Sequence, residues 1–339
     1  MKMTDPRISI QASMRAAFPE AEERVAQFYA MQQYQLGWYD EQLLPAQYTP
    51  GKLLRPQLTL LSCMAVGGDP QKALPLAAGI QLMHDFSLVH DDIEDQSSTR
   101  RGRPTTWTIW GLAHGINIGD AMLIVAHLAL HRLTEIGVVP EVVLEILRRF
   151  DQTILTVCEG QYLDISYEGD LSIKEADYFA MISRKTAALV AASAGLGAIV
   201  GGADAKSAHA LFEFGENLGL AFQIQDDILG IWGDPTVTGK PAAADLYRRK
   251  LSLPIIHTLN TADQREALVQ LYQKSTITDE DAQDILRLLN TAQAQSYTES
   301  VADFYHQQAL ESLDQVQGGN TQVLASLREQ AQGLLHRRS

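Results

Sequence analysis

Most of the chain carries apolar residues at the spacing of amphipathic helices. Leu53, Leu54, Leu58 and Leu61 recur three or four positions apart, and the stretch 144–150 repeats the pattern. This spacing places apolar side chains on one face of a helix. The alternating pattern of half-buried strands is nearly absent. The sequence therefore predicts an all-α protein.

Short breaks separate the predicted helices. They fall at 67–70, 137–140, 201–202 and 233–241, where glycine and proline cluster. Each break is short enough to join neighbouring helices rather than to separate domains, and the sequence contains no low-complexity segment. We therefore expect one large helical domain over residues 1–339.

Composition and charge narrow the classes of function. Hydrophobic residues make up 46% of the chain and charged residues 20%, which is ordinary for a protein with a substantial core. The net charge of -14 gives a surface that repels phosphate backbones, so nucleic acids and anionic membranes are disfavoured as partners. Any phosphate-binding site must therefore be local.

Neither the cysteines nor the N-terminus indicates export. Cys63 and Cys158 lack the short spacing of a zinc or redox motif, which favours reduced thiols in the cytoplasm. Asp5 and Arg7 interrupt the apolar stretch that a secretory signal would need. The charge-free run 186–203 is rich in Ala and Gly, which indicates a packed interior helix. The sequence predicts a cytoplasmic protein without a membrane anchor.

Three aspartates follow an apolar helical stretch. Asp91 and Asp92 lie four and three positions before Asp95, so all three carboxylates can converge on one side of a helix. Like charges repel each other without a cation, and carboxylate oxygens are the ligands that Mg²⁺ prefers. A lone pattern of this kind is more often a solvated helix end, so its neighbours decide the interpretation.

Those neighbours are basic, and the combination occurs twice. Arg100 and Arg101 follow the first aspartates, and guanidinium groups suit phosphate oxygens. Asp226 and Asp227 likewise follow an apolar stretch and precede Lys240. The glycine spacing and the proline at 241 exclude a nucleotide-binding phosphate loop there. The repeated acidic and basic groups indicate a different diphosphate chemistry.

Seven segments in order across about residues 50–255 carry a family resemblance. They are GKLLRP at 51–56, QLMHDFSLVHDDIED at 81–95, RRGRPT at 100–105, GQYLDI at 160–165, RKTAAL at 184–189, FQIQDDILGIWGD at 222–234 and GK at 239–240. Together they closely resemble the trans-polyprenyl diphosphate synthases. The resemblance implies a prenyltransferase with the isoprenoid synthase type I fold, a helical bundle around a central cavity.

The resemblance also implies roles for individual residues. Five carboxylates would bind Mg²⁺ at the allylic diphosphate: Asp91, Asp92, Asp95, Asp226 and Asp227. The allylic diphosphate would contact Arg100, Lys185 and Lys240, and isopentenyl diphosphate would contact Lys52, Arg55, His84 and Arg101. Thr186 and Gln223 would present oxygen dipoles to the carbocation. Dimethylallyl, geranyl and farnesyl diphosphates are the implied primers, and a homodimer is the implied assembly.

Two details of the sequence bear on ligation and product length. Gly230 occupies the position of a third carboxylate in the second motif, which makes ligation there less complete, and Lys250 is a further basic candidate. Phe86 and Ser87 precede Asp91 by five and four positions. By resemblance, this arrangement indicates the C20 product geranylgeranyl diphosphate, with farnesyl diphosphate or a longer chain as the alternative.

Two other kinds of protein share part of this pattern. A class I terpene cyclase has an aspartate-rich metal motif in a helical fold, but it needs no second cationic group for isopentenyl diphosphate. A non-catalytic partner subunit of a heteromeric synthase would show degraded metal motifs, whereas the first motif is intact. Both remain alternatives to the synthase.

Overall fold

The computed structural model describes residues 5–49, 51–234 and 243–335, and their regular structure is almost entirely helical. The helices are α1 Pro6–Arg15, α2 Ala26–Gln35, α3 Leu54–Ala65, α4 Pro70–Glu94, α5 Thr106–Trp110, α6 Leu112–His131, α7 Pro140–Tyr167, α8 Glu175–Ile182, α9 Ala188–Val200, α10 Ala205–Trp232, α11 Ala244–Tyr247, α12 Leu253–Leu259, α13 Ala262–Tyr272, α14 Asp279–Thr291, α15 Ala294–Leu313 and α16 Thr321–Leu335. A 3₁₀ turn covers Glu23–Val25 and a π-helical turn covers Ser183–Ala187. Two short strands, β1 Thr99–Arg100 and β2 Arg103–Pro104, pair antiparallel. The prediction of an all-α fold is confirmed.

The helix boundaries follow the predicted breaks. The break at 67–70 lies between α3 and α4, and Asp69 caps α4 by accepting a hydrogen bond from the backbone N–H of Gln71. The break at 137–140 ends where α7 begins, and 201–202 lies between α9 and α10. Of the last break, residues 235–241 lie outside the described residues.

The chain divides into two compact units. The first unit contains the described residues of 1–151, 193–208 and 318–320, and the second contains those of 152–192, 209–317 and 321–339. The expectation of a single domain stays a prediction. Each unit has a core that positions one of the two aspartate pairs.

Helix α4 is the central helix of the first unit. It packs against α1, α3 and α6, and Leu76, Ile80 and Met83 are fully buried. A helix that is apolar on several faces is stable only when other elements surround it. This packing fixes the C-terminal turn of α4, where Asp91 and Asp92 lie.

The second unit buries one face of α10 in the same way. Tyr178 on α8, Ile224 on α10 and Ile256 on α12 belong to one buried cluster, which Ala302 of α15 completes. Burial of these side chains contributes most of the driving force that holds the helices together. Its member Ile224 lies one turn before Asp227, so the cluster fixes the part of α10 that carries Asp227.

Two helices bear on the question of membrane association. Among the described helices, α6 is long and apolar enough to cross a membrane by length and composition, and 39% of its apolar window is buried. The run 186–203 that the sequence singled out is shared between the π-helical turn and α9, which has 13 residues. Leu196 and Ala198 of α9 are fully buried, so the prediction of a packed interior helix is confirmed.

Candidate active site

The last turn of α4 presents the first aspartate pair to Arg100 on β1. The guanidinium Nε donates to both oxygens of Asp92 at 2.8 and 2.9 Å, and Nη2 donates to Asp91 Oδ2 at 3.2 Å. Asp92 is only 1% exposed. Burial raises the pKa of Asp92 to about 6, although Arg100 acts in the opposite direction. The Arg100 guanidinium therefore binds both carboxylates.

Asp95 follows the last residue of α4 and is exposed. Within the described residues, no three Asp, Glu, His or Cys side chains are grouped closely enough to hold a metal ion. The expected convergence of Asp91, Asp92 and Asp95 is therefore not formed in this structure. The physical reason is that like charges repel, and Arg100 draws Asp91 and Asp92 to itself.

The donor set nevertheless fits Mg²⁺. This ion commonly takes one or two carboxylates and completes its shell with water and substrate phosphate, so it does not require a closed protein cage. Asp95 and Asp226 are exposed, and Asp91 is partly exposed. Each of the two units thus presents at least one accessible hard oxygen ligand.

The four residues expected to bind isopentenyl diphosphate lie in the first unit, and two close contacts connect their segments. Arg55 Nη1 lies 3.2 Å from His84 Nε2. A Cβ added to Gly51 would lie 3.3 Å from Arg101 Cζ, so the segment carrying Lys52 rests on the Arg101 guanidinium. The structure therefore brings Arg55 to His84, and Arg101 to the residue before Lys52.

Burial fixes the protonation state of His84. Burial first, and then the charges of Arg55 and Arg101, lower the pKa of His84 well below its usual range. A guanidinium only donates hydrogen bonds, so Nε2 of the neutral ring accepts from Arg55 and Nδ1 carries the proton. His84 can therefore offer an N–H to an anion without adding a charge.

Asp85 is a buried acid in this region that sequence reasoning missed. Gln81 Nε2 donates to its Oδ2 at 2.8 Å, while Oδ1 is buried without a hydrogen-bond partner in the described part of the chain. Burial raises the pKa of Asp85 to about 6 against the opposing charge of Arg101 and the Gln81 bond. The available signal was an acidic residue inside an otherwise apolar helical stretch.

The two residues expected to set product length lie on α4. Phe86 is buried and packs edge to face on His90, with ring centroids 5.6 Å apart. The Ser87 hydroxyl donates to the backbone carbonyl of His84 at 2.8 Å. Both side chains are thus held against their own helix.

In the second unit, the π-helical turn Ser183–Ala187 carries Lys185 and Thr186. A Cβ added to Gly160 on α7 would lie 2.2 Å from the backbone nitrogen of Lys185, so only glycine permits this approach. Lys185 forms an ion pair with Asp164, also on α7. Single π turns inside helices occur frequently at functional sites.

A chain of hydrogen bonds connects Thr186 to the second aspartate pair. The Thr186 hydroxyl donates to Gln223 Oε1 at 2.9 Å, and Gln223 Nε2 donates to Asp227 Oδ1 at 3.1 Å. The residues expected to face the carbocation are therefore oriented by the buried aspartate. Thr186 and Gln223 are brought together although 37 positions separate them.

Asp227 is 0% exposed and accepts from four donors. Tyr178 Oη donates at 2.7 Å, the backbone N–H of Leu253 at 3.0 Å, Gln223 Nε2 at 3.1 Å and Lys250 Nζ at 3.4 Å. Burial and the charge of Asp227 raise the pKa of Tyr178 well above its usual value. The protein itself engages both oxygens of Asp227, and Asp226 is the exposed carboxylate of the pair.

Lys250 proves to be part of this group, whereas Lys240 lies outside the described residues. Burial by itself would lower the pKa of Lys250, but Asp227 and Asp245 outweigh it and raise that pKa. Lys250 therefore stays charged. Tyr178 had no local signal in the sequence, because 49 positions separate it from Asp227.

Comparison with known proteins agrees with this arrangement of groups. Residues 38–289 match the family described as Polyprenyl synthetase. The chain is 39% identical over 282 residues to a geranylgeranyl diphosphate synthase of Mycobacterium tuberculosis, covering 83% of this chain and 79% of that protein. It is 40% identical over 261 residues to a (2E,6E)-farnesyl diphosphate synthase of Mycobacterium bovis, covering 76% and 71%.

The fold is also that of a solved relative. A crystal structure of a polyprenyl synthetase from Streptomyces coelicolor aligns with a TM-score of 0.88 and 33% identity, covering 97% of each chain. The family match, the sequence identity and the shared helical fold thus agree along most of the chain. The protein belongs to the polyprenyl synthetase family and is a prenyltransferase.

Proposed function

We propose that this prenyltransferase condenses isopentenyl diphosphate head to tail with allylic diphosphates in the presence of Mg²⁺ and forms geranylgeranyl diphosphate. The observation that carries the proposal is the repeated aspartate pair. In each pair the second aspartate is buried and held by the protein, and the first is more accessible and has cationic groups nearby. Two such pairs suit a reaction that must ionise one diphosphate while a second is bound.

The family is one of metal-dependent prenyltransferases, and Mg²⁺ is the ion that suits the carboxylates of this chain. Asp91, Asp95 and Asp226 would hold it, while Asp92 and Asp227 position their neighbours. When bound, Mg²⁺ supplies charge stabilisation to the departing diphosphate.

The chain's own cations would divide between the two substrates. Arg100 and Lys185, each of which is paired with a carboxylate in this structure, would contact the allylic diphosphate. The group of Lys52, Arg55, His84 and Arg101 would hold isopentenyl diphosphate. Charge-assisted hydrogen bonds of this kind are stronger than neutral ones.

Thr186 and Gln223 would act on the hydrocarbon. Their side-chain oxygens carry partial negative charge, and the hydrogen bonds to Asp227 fix their orientation before the allylic cation forms. Preorganised dipoles stabilise a developing charge without a reorganisation cost at the moment of reaction. The proton lost at the end would pass to the departing diphosphate.

The proposed C20 product rests on Phe86 and Ser87 and on the geranylgeranyl diphosphate synthase among the relatives; the farnesyl diphosphate synthase at 40% identity makes C15 the alternative. Replacing Phe86 by Ala removes a buried ring and is expected to lengthen the product. Phe150→Ala, which removes a fully buried ring from α7, is the matched control. An unchanged product from folded, active Phe86→Ala enzyme would exclude Phe86 as the floor.

The proposed assembly is a homodimer in the cytoplasm. Helix α6 exposes Leu112, Ile116, Ile124 and Leu128, which at about 100° per residue spread over nearly half of the helix circumference, with the exposed Asp120 among them. An exposed apolar surface of this kind suits a second copy of the same chain across a two-fold axis. Light scattering should show a dimer for the purified protein and a monomer for the Ile124→Lys variant. A dimer formed by the variant would contradict this surface as the interface.

The activity is tested with purified protein, Mg²⁺ and isopentenyl diphosphate, using dimethylallyl, geranyl and farnesyl diphosphates as separate primers. The expected result is elongation to an all-trans C20 product, read by chromatography after dephosphorylation. Products that end at C15 would select the farnesyl alternative. Release of diphosphate from an allylic primer without consumption of isopentenyl diphosphate would indicate a cyclase.

A further inference from the structure

Glu175, His257 and Tyr297, here the Glu175 cluster, form a group of polar side chains in the second unit. They lie on α8, α12 and α15. Tyr297 Oη donates to Glu175 Oε2 at 2.8 Å. His257 Nδ1 lies 3.7 Å from Glu175 Oε1, which is within ion-pair distance when the ring is protonated. The Glu175 carboxylate thus connects three helices.

The two rings of the cluster are also held in place. The imidazole of His257 stacks on the phenol ring of Tyr297, with centroids 3.9 Å apart and an interplanar angle of 16°. His257 Nε2 lies 3.2 Å from the carbonyl oxygen of Ala292, and because a carbonyl only accepts hydrogen bonds, Nε2 is the donor. Burial, and then the hydrogen bond to Glu175, raise the pKa of Tyr297 to about 12, so its hydroxyl is a donor at neutral pH. Each ring is therefore held by a stack and a hydrogen bond.

The cluster lies one helical turn from two donors to Asp227. Glu175 precedes Tyr178 by three positions on α8, and residues so spaced share one face of a helix. On α12, Leu253 precedes His257 by four positions. Tyr178 Oη and the Leu253 N–H both donate to Asp227 Oδ2, at 2.7 and 3.0 Å. Two joints therefore connect α8 to α12, one through Asp227 and one through Glu175.

Two joints fix a pair of helices more firmly than one. A single hydrogen-bonded contact leaves each helix free to turn about it, whereas a second contact three or four residues away, about 4.5–6 Å along the axis, prevents that rotation. The rotation of α8 sets the direction of the Tyr178 hydroxyl, and the position of α12 sets that of the Leu253 N–H. The Glu175 cluster therefore fixes both bonds to Asp227 Oδ2.

The other oxygen of Asp227 faces the residues expected to act on the carbocation. Asp227 Oδ1 accepts from Gln223 Nε2 at 3.1 Å, and Gln223 Oε1 accepts from the Thr186 hydroxyl at 2.9 Å. A carboxylate is planar, so a change in the contacts of Oδ2 turns Oδ1 as well. A rotation of Asp227 would therefore shift the side-chain oxygens of Gln223 and Thr186, and stabilisation of charge by preorganised dipoles depends on their direction.

We propose that the Glu175 cluster positions Asp227, and through it Gln223 and Thr186, for the transfer of the prenyl group. All three members of the cluster lie outside the seven segments that carry the family resemblance. This inference rests on the proposed condensation activity and adds positioning residues to it.

Tyr297→Phe tests the cluster, because it removes the donor to Glu175 and keeps the ring that stacks on His257. We expect kcat to fall about tenfold, while KM for isopentenyl diphosphate stays within about twofold of the wild-type value, since the cations expected to hold that substrate belong to the first unit. The matched control is Tyr247→Phe, which removes a tyrosine–carboxylate bond of 2.9 Å to Asp279 on the exposed surface and should leave kcat unchanged. Rates are measured at a temperature where circular dichroism shows every variant folded.

A conservative substitution separates positioning from packing. Glu175→Ala should lower kcat as much as Tyr297→Phe does, whereas Glu175→Gln should restore most of the wild-type rate, because the amide oxygen still accepts from the Tyr297 hydroxyl. In the double variant Tyr178→Phe with Tyr297→Phe, the loss in kcat should be smaller than the product of the two single losses, because both act on the same oxygen of Asp227.

Three results would overturn the positioning role. They are wild-type kcat in Tyr297→Phe whatever its Tm, equal losses of kcat in Glu175→Gln and Glu175→Ala, and single losses that multiply in the double variant. Each of these results with an active wild-type enzyme leaves the proposed synthase activity standing. Absence of elongation by the wild-type enzyme would instead reject that activity, and with it the positioning role.

Discussion

The two aspartate pairs have the same local pattern, but the protein holds them differently. Asp92 is fixed by one guanidinium, that of Arg100, which also reaches Asp91. Asp227 is fixed by four donors that include a backbone N–H and a buried phenol. The Arg100 guanidinium of the first arrangement is 28% exposed, whereas the second arrangement is a network of four donors around a carboxylate that is 0% exposed.

This difference bears on what each pair can do when substrate arrives. Arg100 is itself a candidate diphosphate ligand, so binding of substrate would compete with its hold on Asp91 and Asp92. The donors to Asp227 include Tyr178 and the backbone of Leu253, which have no such role. The comparison indicates that the first pair rearranges on binding and that the second is preorganised.

The largest expected effect is a difference in the free energy of unfolding between variants of the two buried aspartates. Asp227→Ala leaves the Tyr178 hydroxyl and the Leu253 N–H buried without an acceptor and should lower the free energy of unfolding by about 3–5 kcal/mol. Asp92→Ala should lower it by about 1–3 kcal/mol, because Arg100 is 28% exposed and regains water. Urea unfolding measures both. Equal losses would remove the distinction between the two pairs.

A smaller effect concerns pH, and it should come from the first unit. The pKa of Asp85 rises from 3.8 to about 6 on folding because burial favours the neutral acid. The stability that this group contributes is therefore fully present below pH 3.8 and is lost as pH rises through about 6. The loss at pH 7 is about 3 kcal/mol.

Asp85→Asn removes that titration and keeps a side chain of the same size. The urea midpoint should fall less steeply between pH 4 and 7 for the variant than for the wild type. Part of the pH dependence should remain in the variant, because the pKa of Asp92 is also raised. Parallel curves would contradict a buried, titrating Asp85. Asp279→Asn, an exposed change, is the control.

The smallest effect tests one member of the network. Tyr178→Phe removes one donor from Asp227 and leaves the other three, so stability should fall by about 1–2 kcal/mol. If the orientation of Gln223 depends on Asp227, kcat should also fall, measured at a temperature where the variant stays folded. A loss of stability with unchanged kcat would reduce Tyr178 to a packing role.

Sequence reasoning succeeded where the determinants are local. Asp91 and Asp92 in the last turn of α4, and Asp226 and Asp227 within α10, each follow an apolar helical stretch, as the apolar periodicity of the sequence predicts. The start of α7 at Pro140 follows from the backbone restriction of proline. These features depend on a few neighbouring residues, which the sequence displays directly.

The remaining features depend on distant parts of the chain. The Asp245 carboxylate lies where a side chain at position 230 would be, and no spacing rule connects the two positions. The Asp227 network joins residues from α8, α10 and the start of α12. Packing of helices decides these contacts, so a motif read along one helix cannot reveal them.

The π-helical turn at Ser183–Ala187 gives the site an unusual dependence on residue count. A turn of this kind equals one extra residue in an otherwise regular helix, and one residue corresponds to about 100° of rotation. Deleting a single residue there would leave a continuous helix of ordinary composition, yet it would turn Lys185 away from Asp164 or Thr186 away from Gln223. An insertion or deletion within this helix would therefore change the geometry of the site without replacing any of its side chains.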